Sequence, residues 1–206
     1  MKVQGCTDVD LMRKDNFVIM GISGLGGSGK DTVINHILKK RNATVVHLRK
    51  PVEEELIKRH RKINNKSLRE MATALRVKHG PAVMIRRSVK EIEKAFGNSD
   101  LVIINSIKSL DEVDFINNSL DYRFELVAVY ASPVKRFRRL AKRGLKWDMK
   151  DYKSFSWRDR TELKWGLGSA MALSDHVIVN DGTINELNKG VDLLLKRIDS
   201  DSRRKD

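Results

Sequence analysis

The stretch GISGLGGSGKDT at residues 21–32 constrains the fold of this chain more than any other feature. It overlaps an apolar, β-rich run at 17–23, continues through the glycine-rich residues 24–29, and leads into a segment of helical period at 31–40. The apolar side chains of that segment share one side, at Val33, Ile34, Ile37 and Leu38. A buried strand, a glycine loop and an amphipathic helix in this order are typical of the first βα unit of a parallel sheet.

The loop has the chemistry of a phosphate-binding segment. Glycines let the backbone take φ values closed to other residues, so that successive N–H groups can point inward at one anion. The N-terminus of the following helix adds its dipole, and Lys30 adds a mobile positive charge. The residues that we predict to bind a nucleotide are Gly24, Leu25, Gly26, Gly27, Ser28, Gly29, Lys30, Asp31 and Thr32.

The rest of the chain predicts an α/β fold with a five-stranded parallel sheet. Short runs rich in Val, Ile and Leu alternate with segments of helical period, as expected for strands that are covered on both faces. We predict one domain at 16–198, with polar tails at 1–15 and 199–206. The predicted strands lie at 17–23, 44–48, 101–105, 124–131 and 176–180.

Composition restricts the partners and the location of the protein. The formal net charge is +14, from 41 Lys and Arg against 27 Asp and Glu, which favours phosphate-bearing partners such as nucleotides, coenzymes or nucleic acid. No apolar run approaches the roughly 20 residues that span a bilayer, so we expect a cytoplasmic protein without a membrane partner. Cys6 is the single cysteine, which excludes an internal disulfide and a cysteine metal cluster.

Asp31 narrows the class of the loop. The residue after the loop lysine is usually a serine or threonine whose hydroxyl binds Mg²⁺, whereas here Asp31 intervenes and Thr32 follows. The resulting GKDT resembles the GKGT-type ending of adenylate kinases and related nucleoside monophosphate kinases. Five further segments occur in order: ALRVKHGP (74–81), INSIKSLDEVDFI (104–116), VYASPVKRFRRLAKRG (129–144), SWRDRTELKWGLG (156–168) and ALSDHVIVNDGT (172–183).

Together these segments resemble an archaeal P-loop family described as adenylate kinase-related or dephospho-CoA kinase-like. The resemblance implies a three-layer P-loop NTPase fold that binds ATP and Mg²⁺. It also implies a helical acceptor-binding insert at about 49–96 and an arginine-rich lid at about 143–158.

Basic residues crowd the predicted lid entrance. Arg136, Arg139 and Arg143 are spaced so that they lie opposite the apolar side of one helix. Arginines that close over a transferred phosphoryl group stabilise its charge and expel water, whereas the alternative is a solvated helix. The resemblance assigns catalysis to Lys30, Arg139, Arg143 and Arg158. Asp159 and Glu162 would orient Arg158, or else form a surface ion-pair cluster with it.

Acceptor and metal residues follow from the same resemblance. Arg76 matches an arginine that such families use near the acceptor phosphate, and the alternative is a structural role. Related sequences have Asp-Gly-x-Arg after the third strand, where this chain has Asn105, Ser106, Ile107 and Lys108. Lys108 would therefore contact the acceptor, while Asp31 and Asn105 would hold the metal through water, in a site that lacks the usual acid.

The same region weakens a hydroxyl-phosphorylating assignment. After the second strand, relatives have a Met-Gly-Asp-like sequence, and dephospho-CoA kinases use an acid in that neighbourhood to accept the hydroxyl proton. This chain has Leu48, Arg49 and Lys50 there. None of the five histidines, His47 included, has close metal-ligand spacing, so we expect them to be structural or surface residues.

The predicted function is ATP-dependent phosphoryl transfer to a small phosphate-bearing acceptor, with a nucleoside monophosphate as the first choice. One alternative is phosphorylation of the hydroxyl of dephospho-CoA. Another is a nucleic-acid-associated ATPase, or a nucleotide-binding protein of low or absent kinase activity, which the +14 charge and Asn105 favour. The sequence leaves the oligomeric state open.

Overall fold

The computed structural model describes residues 17–144 and 151–202. Within these ranges five strands form one sheet, and every pair of neighbouring strands is parallel. The order across the sheet is β2-β3-β1-β4-β5, so β1 lies at the centre. The strands are β1 (Val18–Ser23), β2 (Ala43–His47), β3 (Leu101–Ile107), β4 (Arg123–Tyr130) and β5 (His176–Val179). The predicted α/β fold with a five-stranded parallel sheet is confirmed.

Helices cover both faces of this sheet and make it the middle of three layers. Their bounds are α1 (Lys30–Lys40), α2 (Lys50–Lys58), α3 (Asn65–His79), α4 (Val83–Ala95), α5 (Leu110–Ser119), α6 (Pro133–Arg143), α7 (Tyr152–Lys164), α8 (Leu167–Ala172) and α9 (Ile184–Ser202). No helix in the described ranges combines the length and the apolarity needed to cross a bilayer.

Two clusters of buried apolar side chains hold the layers together. On one face α1 and α9 pack on the sheet, with Val33 and Val191 fully buried. On the other face the helices between β2 and β3 pack with α5 and α8, with Leu56 and Ile92 fully buried. Burying an aliphatic side chain of this size contributes about 1.5–3 kcal/mol.

The helices α2, α3 and α4 occupy 50–95, within the range predicted as a helical insert. Local signals place the longest of them, because Asn64 and Ser67 form a capping box at the start of α3. Gly80 follows its last turn with φ 86°, a value that favours glycine. The insert is therefore fixed by its own caps as well as by its packing on the sheet.

The C-terminal boundary differs from the prediction. The tail was predicted to begin at 199, whereas α9 continues to Ser202. Ile198 is 5% exposed and anchors the last buried turn, and each residue beyond it adds a backbone hydrogen bond at little nucleation cost. The predicted N-terminal tail at 1–15 and the final residues 203–206 lie outside the described residues.

Candidate active site

The glycine loop joins the carboxyl end of β1 to the N-terminus of α1. Lys30 is the first residue of α1, and its Nζ donates to the backbone oxygens of Gly24 (2.7 Å) and Leu25 (3.3 Å). Gly29 has φ 100°, and a side chain there would collide with the amide of Asn180. The lysine thus closes the loop on itself through the backbone oxygens of Gly24 and Leu25.

The surroundings of Lys30 disfavour the charged form of its side chain. Burial lowers the pKa of its ammonium to about 7, and repulsion from Lys108 and Arg158 adds to this effect against the opposing attraction of Glu162 and Asp31. An anion bound in the loop would remove this penalty. The lowered pKa therefore indicates a site built for a negatively charged ligand.

A cleft of about 550 Å³ opens at the carboxyl ends of β1, β2 and β3. Ligand sites of open parallel sheets lie at this edge. The cleft gathers seven of the site residues predicted from the sequence, namely Lys30, Asp31, Arg76, Asn105, Lys108, Arg143 and Arg158. Among its described lining residues seven are Lys or Arg and two are Asp or Glu; the additional cations are Arg49 and Arg69, and the acids are Asp31 and Glu162. Such an excess of positive charge suits ligands with several anionic groups.

Glu162 holds two of these cations at the cleft wall. Its Oε2 accepts from Lys108 Nζ at 2.8 Å, and its Oε1 accepts from Arg158 Nε at 3.3 Å. Burial alone would raise the pKa of Glu162, but the positive charges of Lys108 and Arg158 outweigh it and lower the pKa to about 2. The carboxylate therefore stays ionised and both of its oxygens are engaged.

Arg76 is held by a second buried acid. Its Nη2 donates to Glu112 Oε1 at 3.4 Å, while the other oxygen of Glu112 accepts from the backbone N–H of Lys108 at 2.6 Å. Burial raises the pKa of Glu112, which is fully enclosed, although Arg76 opposes the shift. The guanidinium also stacks on Trp165, 4.7 Å from the ring centre. These contacts fix Arg76 and Lys108 side by side at the wall of the cleft.

Arg136, Arg139 and Arg143, which the sequence grouped on one side of α6, lie in three different environments. Of these three arginines, Arg143 lines the cleft. Arg136, which helical period grouped with Arg139 and Arg143 opposite the apolar side of the helix, is instead buried apart from them: it is 2% exposed and bidentate to Asp159, at 2.9 and 2.6 Å. It also donates to the loop oxygen of Gly26 at 3.2 Å. The prediction that Asp159 orients Arg158 is corrected with it, because the carboxylate of Asp159 points instead at the buried guanidinium.

Arg139 lies behind the loop. Its Nη2 donates to the backbone oxygen of Asn180 (2.8 Å) and to Asn180 Oδ1 (3.3 Å), and Asn180 Nδ2 donates in turn to the backbone oxygen of Ser28 (2.8 Å). The structure does not place Arg139 among the residues that line the cleft. Its contacts brace the far side of the phosphate loop.

Among the arginines predicted for the lid, Arg143 and Arg158 line the cleft. Arg158 lies directly over the loop, since a Cβ added to Gly26 would sit 2.9 Å from its Cζ. Arg143 lines the cleft at the end of α6. The predicted lid at about 143–158 is described only in part, because residues 145–150 lie outside the described residues.

Sequence reasoning missed two cleft residues. His47 ends β2 and lines the cleft beside Asn105, which is its partner in the strand register. Arg69 on α3 also lines the cleft, with its guanidinium 5.4 Å from the ring centre of Trp157. The position of His47 at the carboxyl end of a predicted strand was the available signal, whereas nothing local distinguished Arg69 from other surface arginines.

A glycine loop between the first strand and helix of a central parallel sheet, with a lysine at the loop end, defines the P-loop class of folds. Solved structures of the same fold include TT1252 from Thermus thermophilus, with a TM-score of 0.60 and 21% identity, covering 88% of this chain and 97% of that one. Shikimate kinase from Bacteroides thetaiotaomicron matches with a TM-score of 0.57 and 17% identity, over 88% and 98% of the two chains. The expected likeness to P-loop kinases is therefore confirmed for the fold.

Relatives by sequence identify the family. The UPF0200 protein of Methanococcus vannielii is 32% identical over 180 residues, which cover 87% of this chain and 96% of the relative. The UPF0200 protein of Thermococcus gammatolerans is 31% identical over 182 residues, covering 88% and 95%. The chain belongs to the UPF0200 family. A scan of this sequence against protein-family models gives no match.

Proposed function

We propose that this protein is a P-loop phosphotransferase that moves the γ-phosphoryl group of ATP to a small phosphate-bearing acceptor, with a nucleoside monophosphate as the first choice. The observation that carries the proposal is the cleft that joins the loop lysine, Lys30, to Arg76 and Lys108. Two anionic molecules, one at each end, would place their phosphates between these cations. This is the arrangement that in-line transfer between two nucleotides requires.

The donor end would be formed by the loop and the lid. Loop amides and Lys30 would hold the β- and γ-phosphates, while Arg143 and Arg158 would neutralise the charge that spreads over the moving group. Arg139 would act from behind the loop through Asn180 and Ser28, which makes it a positioning residue for the nucleotide. The Arg136–Asp159 pair would keep α7 close to the loop.

The acceptor end favours a phosphate over a hydroxyl. A hydroxyl acceptor needs a base, and the carboxylates among the described lining residues are Asp31 and Glu162. Glu162 is a weak base, because its pKa is about 2 and both its oxygens are engaged. Asp31 accepts a hydrogen bond from Asn105 and would serve the metal ion. The phosphate of a nucleoside monophosphate is already ionised at neutral pH and needs no base. This reasoning favours a nucleoside monophosphate over dephospho-CoA.

Mg²⁺ would bind with the nucleotide beside Asp31 and Asn105. Their fit to a hydrated cation rests on a carboxylate together with the buried Oδ1 of Asn105, for which the described part of the chain provides no hydrogen-bond partner. When bound, the ion would neutralise phosphate charge and orient the γ-phosphoryl group. Asp31 and Asn105 would position its water ligands.

The test is ADP release from ATP in the presence of each nucleoside monophosphate and of dephospho-CoA. We expect one nucleoside monophosphate to stimulate ADP release and Lys30→Ala to abolish it, whereas Lys39→Ala on the same helix leaves it unchanged. Arg76→Ala should raise the acceptor KM by about 10- to 100-fold, because a charge-assisted contact is lost. ADP release that responds to RNA or DNA and to no small acceptor would contradict the proposal and support a nucleic-acid-associated ATPase.

A further inference from the structure

The outer side of α7 carries one line of basic and aromatic side chains. The residues, which we call the α7 stripe, are Lys153, Trp157, Arg160 and Lys164. Because consecutive members are three or four positions apart, they share one face of the helix. All of them are exposed, whereas Phe155 on the opposite face is buried. The stripe therefore faces away from the packed side of α7.

The cations of the α7 stripe are not neutralised by the protein itself. None of the three has a carboxylate partner in the part of the chain that the structure describes. The acids of the same helix lie on its inner side, where Asp159 binds Arg136 and Glu162 is buried. By contrast, an exposed arginine of the insert, Arg59, is paired with Glu55. The stripe thus offers its positive charges to an anionic partner outside the chain.

Trp157 lies in the middle of these cations and is 56% exposed. The guanidinium of Arg69 on α3 lies over its ring, 5.4 Å from the centre, and helps to hold the ring in place. The described lining of the cleft does not include Trp157. An exposed ring that is flanked by cations, outside the cleft, is suited to stacking against a planar base.

The length of the α7 stripe fits a short piece of nucleic acid. From Lys153 to Lys164 the helix rises about 16 Å, at 1.5 Å per residue. This length corresponds to about five stacked nucleotides of one strand, at 3.4 Å each. Proteins that hold single strands combine a positively charged track for the phosphates with aromatic rings for the bases.

We propose that the α7 stripe binds a single-stranded nucleic acid, with phosphates on Lys153, Arg160 and Lys164 and a base stacked on Trp157. The strand would lie on the opposite side of α7 from Glu162, and so outside the cleft. The inference therefore goes beyond the proposed function and does not depend on it.

The stripe favours a single strand over a duplex or a bilayer. The bases of a duplex stack on one another, so Trp157 would have to unstack one of them, at an energetic cost, before it could contact a base face. A helix that lies on a bilayer needs an apolar face. The apolar side of α7 is already occupied, since Phe155 packs against Phe137 of α6, with the ring centres 5.5 Å apart.

The test is fluorescence anisotropy of an end-labelled single strand of about 12 nucleotides, titrated with the full-length protein between about 50 and 200 mM salt. We expect Trp157→Ala to weaken binding by about 5- to 100-fold, because one base stack is lost, without changing the salt dependence. Arg160→Gln should reduce the slope of log affinity against log salt by about 0.7, the value for one phosphate of a single strand. Lys196→Gln, which alters an exposed lysine of α9, should change neither quantity.

Two further measurements locate the strand. Binding of a duplex of the same sequence should be insensitive to Trp157→Ala, because its bases are already stacked. Saturating ATP should leave the anisotropy of the single strand unchanged, whereas displacement by ATP would place the strand in the cleft and overturn the inference.

Absence of binding, or binding that neither Trp157→Ala nor Arg160→Gln affects, would also overturn it. Sensitivity to Arg160→Gln alone would reject the single-strand site, since it would indicate a partner held by charge without base stacking. Acceptor-dependent ADP release without oligonucleotide binding would reject this inference and leave the proposed function intact. Oligonucleotide binding of the expected pattern without ADP release would do the reverse.

Discussion

Glu162 illustrates how much of the cleft depends on single charges. It is buried between Lys108 and Arg158, and these cations hold its pKa at about 2 although burial opposes them. Without this carboxylate, the positive charges of Lys30, Lys108 and Arg158 would repel one another at the cleft wall. The negative charge of Glu162 therefore offsets the mutual repulsion of these cations within the protein itself.

The lowered pKa of Glu162 predicts a pH dependence of stability. A carboxyl group whose folded pKa lies below its unfolded value stabilises the protein above the unfolded pKa of 4.5, and this stabilisation is lost as the pH falls toward 2. At pH 7 we expect Glu162→Gln to lower the free energy of unfolding by about 3 kcal/mol. Urea denaturation should show that this difference shrinks by about half between roughly pH 5 and pH 3.

The matched control is Glu70→Gln, which alters an exposed ion pair with Arg61. Its effect should stay below about 1 kcal/mol throughout the same pH range. A difference between wild type and Glu162→Gln that does not change with pH would show that Glu162 contributes by packing and not by charge.

At the scale of elements, β3 contains a strained bulge one residue before its end. Ser106 has φ 82°, in the left-handed region that favours glycine, and it lines the cleft between Asn105 and Lys108. The register of β1 and β3 shifts at the same place, between Ile22 and Ser23. The related sequences have a glycine at the position of Ser106. Ser106 therefore adopts a left-handed backbone conformation that costs a residue with a Cβ more than it costs glycine.

We expect Ser106→Gly to raise the free energy of unfolding by about 0.5–1 kcal/mol, because glycine removes the Cβ strain and recovers more than its extra chain entropy costs. Ser106→Ala keeps the Cβ and should give no gain. Chemical denaturation of the three proteins measures this directly. Equal stabilisation by glycine and alanine would mean that the hydroxyl, and not the backbone angle, is the source of the cost.

The contact between α6 and α7 is the second element-scale feature. Arg136 and Asp159 form an ion pair whose side chains are 3% and 13% exposed, and Arg136 stacks on Phe155, 4.9 Å from its ring centre. The same guanidinium donates to Gly26 in the loop. The buried guanidinium of Arg136 therefore contacts both α7 and the glycine loop.

Removing the carboxylate should be costly because it leaves that cation buried without its counter-charge. We expect Asp159→Ala to lower the free energy of unfolding by about 3 kcal/mol, measured by urea denaturation. The double variant Arg136→Met, Asp159→Ala should recover part of the loss, because the uncompensated charge is gone. A double variant less stable than Asp159→Ala would indicate that the bond from Arg136 to Gly26 matters more than the ion pair.

At the scale of the whole molecule, the sheet order brings distant segments to one edge. Lys30, Arg76, Lys108 and Arg158 come from four different helices and loops, yet all line the same cleft. The net charge of +14 alone did not distinguish a nucleotide from a nucleic acid. The concentration of seven cations around an enclosed volume of about 550 Å³ favours a small, highly charged ligand.

The sequence by itself determined the five strands and the glycine loop, because hydrophobic period and glycine spacing act over a few neighbouring positions. It also placed Lys30 at the end of the glycine loop, and Asn105 and Lys108 at the carboxyl end of the third strand. The tertiary structure decided the rest. Helical period alone grouped Arg136 with Arg139 and Arg143, whereas a carboxylate brought in from α7 gives Arg136 a buried position. Likewise His47 comes within 3.3 Å of Asn105 only when β2 pairs with β3, since the register of a parallel sheet is set by pairing between segments far apart in the chain.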